Sequence, residues 1–348
     1  MAKYKQGRQS FLLEDPPVIT AWASIAGKKE VEGPLSHTFD IKCRDTYFGQ
    51  TTWEQAEKHM QQLILKKLVN KAGISMEEIG LVFSGDLLNQ CIGSSFSLRN
   101  TGIPHLGLYG ACSTMAESLL LASMAVSGGF ADKAVAMTSS HFASSERQYR
   151  FPLGYGGQRT PTSQWTVTGS GAALVCAEGK GPAITACTIG TVTDLGIKDA
   201  NNMGAAMAPA AWKTVRSHFE DLNTGPEDFD LIITGDLGQI GKELLMELAR
   251  RDGISLGGKL TDCGTLVFDN LTQDVHAIHI GQAQIQNDQI RTVGGIYQQT
   301  LVTAVSGKDL ITVGLQKCLY KIQNGVVILH NQNFKFIVSH ILYPPYPA

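Results

Sequence analysis

Glu77-Glu78-Ile79-Gly80-Leu81-Val82-Phe83-Ser84-Gly85-Asp86-Leu87 has a gap-free counterpart in Glu227-Asp228-Phe229-Asp230-Leu231-Ile232-Ile233-Thr234-Gly235-Asp236-Leu237. Both begin with two acidic residues, run through a short apolar strand and end in Gly-Asp-Leu, at an offset of 150 residues. Self-similarity at a fixed separation is read before any local motif, because it decides architecture. An amphipathic helix precedes each copy. The first places Trp53, Ala56, Met60, Leu63, Ile64 and Leu68 on one face, with a capping box expected at Thr51 and Glu54 and a stop at Gly73. The second carries Trp212, Val215, Phe219 and Leu222. A helix feeding a buried strand, twice over, predicts an α/β chain of two similar halves. Packed face to face, such halves bury both sheets and leave a pocket at their junction.

Outward from Asp86, the next informative stretch is Leu106-Gly107-Leu108-Tyr109-Gly110-Ala111-Cys112-Ser113-Thr114, which leads into the helical segment from Met115 to Ala122. An apolar run, a Gly-Ala turn and a helix predict a strand that delivers Cys112 to a first helical turn. Unpaired N–H groups and the helix dipole there favour a thiolate nucleophile. The same groups suit a carboxylate ligand without covalent chemistry, and a small buried hydrophobe is the third reading of the cysteine. Lys133 to His141 reads as another apolar strand opening into a polar loop, Ser139 to Gln164, before a strand from Val167 to Val175. Residues up to about Phe48 read as an irregular arm with strand-like pieces such as Val18 to Ala23.

Composition narrows the function classes. The 348 residues hold 29 Lys and Arg against 31 Asp and Glu, a net charge of −2, so no nucleic-acid partner is expected. The polar start, Met1 to Arg8, leads into no apolar segment, and no run reaches membrane-span length, so neither a signal peptide nor a transmembrane helix is expected. Seven cysteines without CxxC spacing predict neither a disulfide framework nor a structural zinc site, and no metal ligands are assigned. The last quarter changes character. Glutamate is absent after Glu247, Gln and His become frequent, and Asn333 to Val338 is a strand-like patch. The expected organisation is a first half over 1–181, a partial second half over 182–274 and a divergent tail over 275–348.

Several motifs together resemble the stage V sporulation protein AD (SpoVAD) family of the thiolase-fold superfamily. They are Gly85 to Gln90, Gly110 to Thr114, Thr138 to His141, Glu146 to Arg150, Tyr155 to Gln158, Thr166 to Ala172, Asp194 to Ile197, Met203 to Ala211 and Thr234 to Leu237. The likeness runs from about Gly27 to about Asp274. It implies a thiolase-like duplicated fold, layered αβαβα, with the second half incomplete. The Gly-Gly-Ser-Gly-Cys-Ala-Cys-Ser segment and the Ala-His-Gly strand end of the family are absent here, and Asn324 to Ile328 matches the latter only faintly.

The resemblance implies binding rather than reaction: a sporulation protein that binds dipicolinic acid, alone or with calcium, for uptake into the forespore and release in germination. Other SpoVA membrane proteins and a second copy of the chain are the partners it implies, at the forespore or inner spore membrane. Carried over by position, Cys112 and Asp86 line the pocket. A planar dianion calls for forked cationic donors and stacking rings, which makes Arg147, Arg150 and Tyr155 candidates. Glu146 belongs to the same motif, and Ser139 and His141 are candidate hydrogen-bonding groups. The alternative is a thiolase- or ketoacyl-synthase-like acyltransferase, with Cys112 as nucleophile and acyl-CoA as substrate. Condensation also needs a histidine to take the thiol proton and a second group to manage the enolate, and only the cysteine stands in a recognisable setting.

Overall fold

The computed structural model describes residues 4–149, 165–199, 202–268, 326–330 and 335–340. In chain order the first half contains β1 (Lys5–Gln6), β2 (Ser10–Leu12), β3 (Val18–Ala26), α1 (Lys28–Val31), β4 (Ile41–Lys42), α2 (Trp53–Ala72), β5 (Leu81–Gly85), α3 (Ile92–Leu98), β6 (His105–Leu108), α4 (Thr114–Ser127), β7 (Lys133–Ser140), α5 (Phe142–Tyr149) and β8 (Gly169–Cys176). The second contains β9 (Ala183–Ile189), α6 (Met203–Leu222), β10 (Leu231–Thr234), α7 (Gly238–Arg251), β11 (Leu260–Asp262), α8 (Cys263–Val267), β12 (Val326–His330) and β13 (Lys335–His340).

The duplication seen in the sequence is present in space. The sheet order β6-β5-β7-β8-β3 is repeated as β11-β10-β12-β13-β9, and the two sets meet where Val18 of β3 pairs with Ala183 of β9. Numbered within its half, each set runs 3-2-4-5-1. Direction differs at two positions: β7 is parallel to β5 and β8 antiparallel to β3, whereas β12 is antiparallel to β10 and β13 parallel to β9. These two strands come from the stretch read as a divergent tail.

Alternation along the strands sorts the layers. Val135 and Met137 of β7 pack with Ala56, Met60 and Ile64 of α2, while Ala134 and Ala136 face Met115, Ala116 and Leu119 of α4. The same α4 cluster includes Ile184, Cys187 and Ile233 of the second sheet, whose other face packs Ala186 and Ile232 against Met207, Trp212 and Leu245 of α6 and α7. The order α2, sheet, α4, sheet, α6 and α7 is the αβαβα layering.

Local signals place these elements with some corrections. Thr52, rather than Thr51, caps α2 by accepting from the Gln55 N–H, and Gly73 ends it at φ 67°. Ser75 and Glu78 form a capping box on a short 3₁₀ turn. The strand-like piece Val18 to Ala23 is part of β3, a nine-residue strand paired with β8 along its length, because Ile19, Ala21, Ala23 and Ile25 bury one full face. The supposed polar loop after Ser139 begins with α5.

Candidate functional site

Strands β7, β5 and β6 are adjacent and parallel, and their carboxyl ends deliver His141, Asp86 and Cys112 to one edge of the first half. That edge is where ligands bind open parallel sheets. The backbone there is unusual: Gln90, Cys91 and Ala111 have φ of 60°, 53° and 46°, values that cost non-glycine residues energy and that concentrate at functional sites. Gly85 is required at the end of β5, since a Cβ would stand 2.2 Å from the Leu108 carbonyl oxygen.

Cys112 is half-buried in the 3₁₀ turn Ala111–Ser113 directly before α4. Sequence reading puts it in the first turn of the helix, and the structure puts it one turn earlier. Glu117, on α4, turns back so that its Oε2 occupies the space a Cβ on Gly110 would need, within 2.2 Å. Burial raises the Glu117 carboxyl above its usual range, and Oε2 has no hydrogen-bond partner among the described residues. Beside it the Cys91 thiol donates to the Leu108 carbonyl at 3.1 Å, and burial, with Asp86 and Glu117 nearby, pushes it up to about 11. Cys91 is thus a thiol held neutral.

Asp86 faces the interior. Its carboxylate accepts from the N–H groups of Leu88 (3.0 Å) and Ser94 (2.7 Å) and from Ser94 Oγ (2.6 Å), fixing the turn into α3. Ser139 belongs to the same buried network: it accepts from Gln61 Nε2 at 2.8 Å and donates to Glu57 Oε1 at 3.0 Å, while Ser144 donates to Glu57 Oε2 at 3.0 Å. Glu146 accepts from Thr166 Oγ1 at 2.9 Å. His141 is 3 % exposed, its Nε2 2.7 Å from the Thr46 carbonyl and its Nδ1 accepting from Ala143 N–H, which together set a neutral tautomer. Arg147 is half exposed, paired with Glu54, with its guanidinium 5.5 Å from the centre of Trp53. Arg150 and Tyr155 lie outside the described residues.

A cavity of about 460 Å³ opens beside His141, between α1, the start of α2 and the start of α5. Its walls include Lys28, Lys29, Glu32, Trp53, Phe142 and Trp165. Phe142 and Trp165 stack with centres 4.3 Å apart and planes 12° from parallel, and the Lys29 ammonium lies 3.5 Å from the Trp165 centre. None of these six is a residue that motif reading selects. Lys28 and Lys29 fall in the stretch read as an irregular arm, and Trp165 falls between the stretches read as a loop and a strand.

The duplication holds a second missed signal. Cys263-Gly264-Thr265 follows β11 as Cys112-Ser113-Thr114 follows β6, and Asp236 ends β10 as Asp86 ends β5. Cys263 is buried, and burial pushes its thiol well above the ordinary range. Asp262 accepts from Thr234 Oγ1 (2.7 Å) and Leu237 N–H (2.9 Å), and burial beside Asp236 raises it strongly. The second half thus keeps the frame of the first with a buried interior. Among the described residues no group of three His, Cys, Asp or Glu side chains could hold a metal ion, and no helix is long and apolar enough to cross a membrane.

In structure the chain is similar to 3-oxoacyl-[acyl-carrier-protein] synthase III from Aquifex aeolicus VF5, with TM-score 0.47 and 13% identity, covering 75% of this chain and 87% of that one. It is also similar to OleA from Xanthomonas campestris, with TM-score 0.48 and 17% identity, covering 72% and 84%. In sequence it is 42% identical over 262 residues to stage V sporulation protein AD of Bacillus subtilis (strain 168), covering 75% of this chain and 78% of that protein. Residues 7–305 match the stage V sporulation protein AD (SpoVAD) family, and the chain belongs to that family.

Proposed function

We propose that this chain binds dipicolinic acid, free or as its calcium chelate, and acts with the SpoVA membrane proteins in its uptake into the forespore and release in germination. Membership of the SpoVAD family carries the reading. The cavity supports it, since a planar pyridine dicarboxylate needs flat apolar walls for its ring and cationic donors for its carboxylates. Equilibrium dialysis of the full chain against dipicolinate tests it. Saturable binding, with pyridine-3,5-dicarboxylate competing poorly, is the expected result, and equal retention of both isomers contradicts specific recognition.

The expected homodimer fits the free edge of the sheet. Among the described residues β6 is the last strand, Leu106 and Tyr109 stand half exposed along it, and Ile92 and Phe96 of the neighbouring α3 are similarly exposed. A strand edge with apolar neighbours favours pairing with a second chain. One observation favours the acyltransferase alternative: Cys112 is half-buried at the start of a helix beside the strained Ala111. A persistent acyl adduct on Cys112 after exposure to acyl-CoA, seen by mass spectrometry, would support that chemistry.

A further inference from the structure

Resting on the dipicolinate reading, we infer that Glu117 is a positioning residue of the pocket at the carboxyl ends of β5 and β6: packed against Gly110, it holds the turn that presents Cys112 to the ligand. An acid in the first turn of a helix ordinarily takes the N–H groups left free there. Glu117 Oε2 does not. The N–H groups of Ser113 and Thr114 already go to the carbonyls of Gly110 and Ala111, and Oε2 is buried without a hydrogen-bond partner among the described residues. It lies instead where a side chain on Gly110 would stand, and Ser113 Oγ borders the same space.

A buried polar atom left without a partner is costly, and native structures keep one where it serves a site. The turn beside it is strained in the same sense. Ala111 is held at φ 46°, a conformation that persists in a non-glycine residue only where the surroundings enforce it. On one side of Ala111 the Gly110 carbonyl accepts from Ser113 Oγ at 2.8 Å, and the Glu117 carboxyl fills the remaining space at Gly110. Asp86 and Glu117 both act on the Cys91 thiol, so the packed carboxyl belongs to the same small region as the acid at the end of β5. Burial raises the Glu117 carboxyl, which biases a group that would repel a dicarboxylate when charged toward its neutral form.

The test is calorimetric titration of dipicolinate into the full-length protein and its variants, with alkylation of Cys112 by iodoacetamide followed by mass spectrometry in parallel. Glu117→Ala raises Kd about tenfold, the scale on which a site loses affinity with a supporting residue, and speeds alkylation as the turn loosens. Glu117→Gln keeps the shape and returns both readouts to wild-type values. Gly110 has φ −83°, which alanine adopts without strain, so Gly110→Ala tests the contact alone and also raises Kd. The double variant, Gly110→Ala with Glu117→Ala, binds no more weakly than Glu117→Ala, because the added methyl group then meets no carboxyl. Lys180→Gln, at an exposed distant turn, changes neither readout. Should Glu117→Ala disturb folding, seen in its thermal midpoint, Glu117→Gln and Gly110→Ala still decide. An unchanged Kd in Glu117→Ala, a Glu117→Gln variant as weak as Glu117→Ala, or losses that add in full in the double variant overturn the positioning role and leave the dipicolinate reading standing. A wild-type protein that takes up no dipicolinate overturns that reading, and the alkylation rates then decide whether Glu117 holds the turn.

Discussion

His218 on α6 shows how one buried side chain ties the arm, the second sheet and pH together. Its Nδ1 lies 2.7 Å from Thr188 Oγ1, which is 2.8 Å from Ser10 Oγ, and its ring is packed among Phe219 and Phe229. Burial lowers its pKa from 6.5 to about 4, against a smaller opposing pull from Asp221. Between those values the unfolded chain binds a proton that the folded chain refuses, so stability falls as pH drops through this window, by about 3 kcal/mol in all. Urea unfolding at a series of pH values should show that slope in the wild type and a flatter one in His218→Gln. An unchanged slope would mean that another group carries the acid limb. At this scale the sequence was legible where a motif fixes a turn. Asp86 and Cys112 do end β5 and follow β6. What Asp86 faces was not legible, because the Ser94 that satisfies it sits on a helix with no motif of its own. Lys29 and Trp165 are separated by more than a hundred residues and meet only because β3 and β8 pair.

Besides their side-chain packing, the helices α6 and α7 approach backbone to backbone at one point. A Cβ on Gly204 of α6 would stand 2.8 Å from the Gly241 nitrogen of α7, and one on Gly241 would stand 2.9 Å from the Gly204 Cα. Gly204→Ala gains roughly 1 kcal/mol of helix propensity. It also forces the helices apart, and overpacking of a tight contact costs about 1–3 kcal/mol, so the net result should be a loss. A lower urea midpoint with an unchanged m-value checks this, and a stabilised variant would show that the crossing can relax. Element boundaries were legible where caps are strong, as at Gly73. β3 was legible over Val18 to Ala23, where buried and half-buried residues alternate, and only its extension to Ala26 was not. The helix α5 was misread, since its Ser-Glu-Arg-Gln composition looks like a loop until its Ser144 and Glu146 are seen to be buried.

Across the whole molecule the 150-residue repeat was the most informative feature, since it foretold two similar halves, and their strands do share one order. It could not foretell that β12 and β13 run opposite to β7 and β8, because a strand pattern carries no direction. The proposed dimer belongs to this scale as well. Leu106→Asp on β6 places a charge on the pairing edge and should convert a dimer to a monomer in sedimentation velocity, and a wild-type monomer would remove the basis for it. The central claim is that this two-sheet frame holds a dipicolinate site, and thermal unfolding of the full chain with and without dipicolinate tests it most directly. Binding to the folded state alone raises the midpoint progressively with ligand concentration. A single cooperative transition that shifts upward is the predicted result; an equally sharp transition that ignores dipicolinate at every concentration would contradict the account.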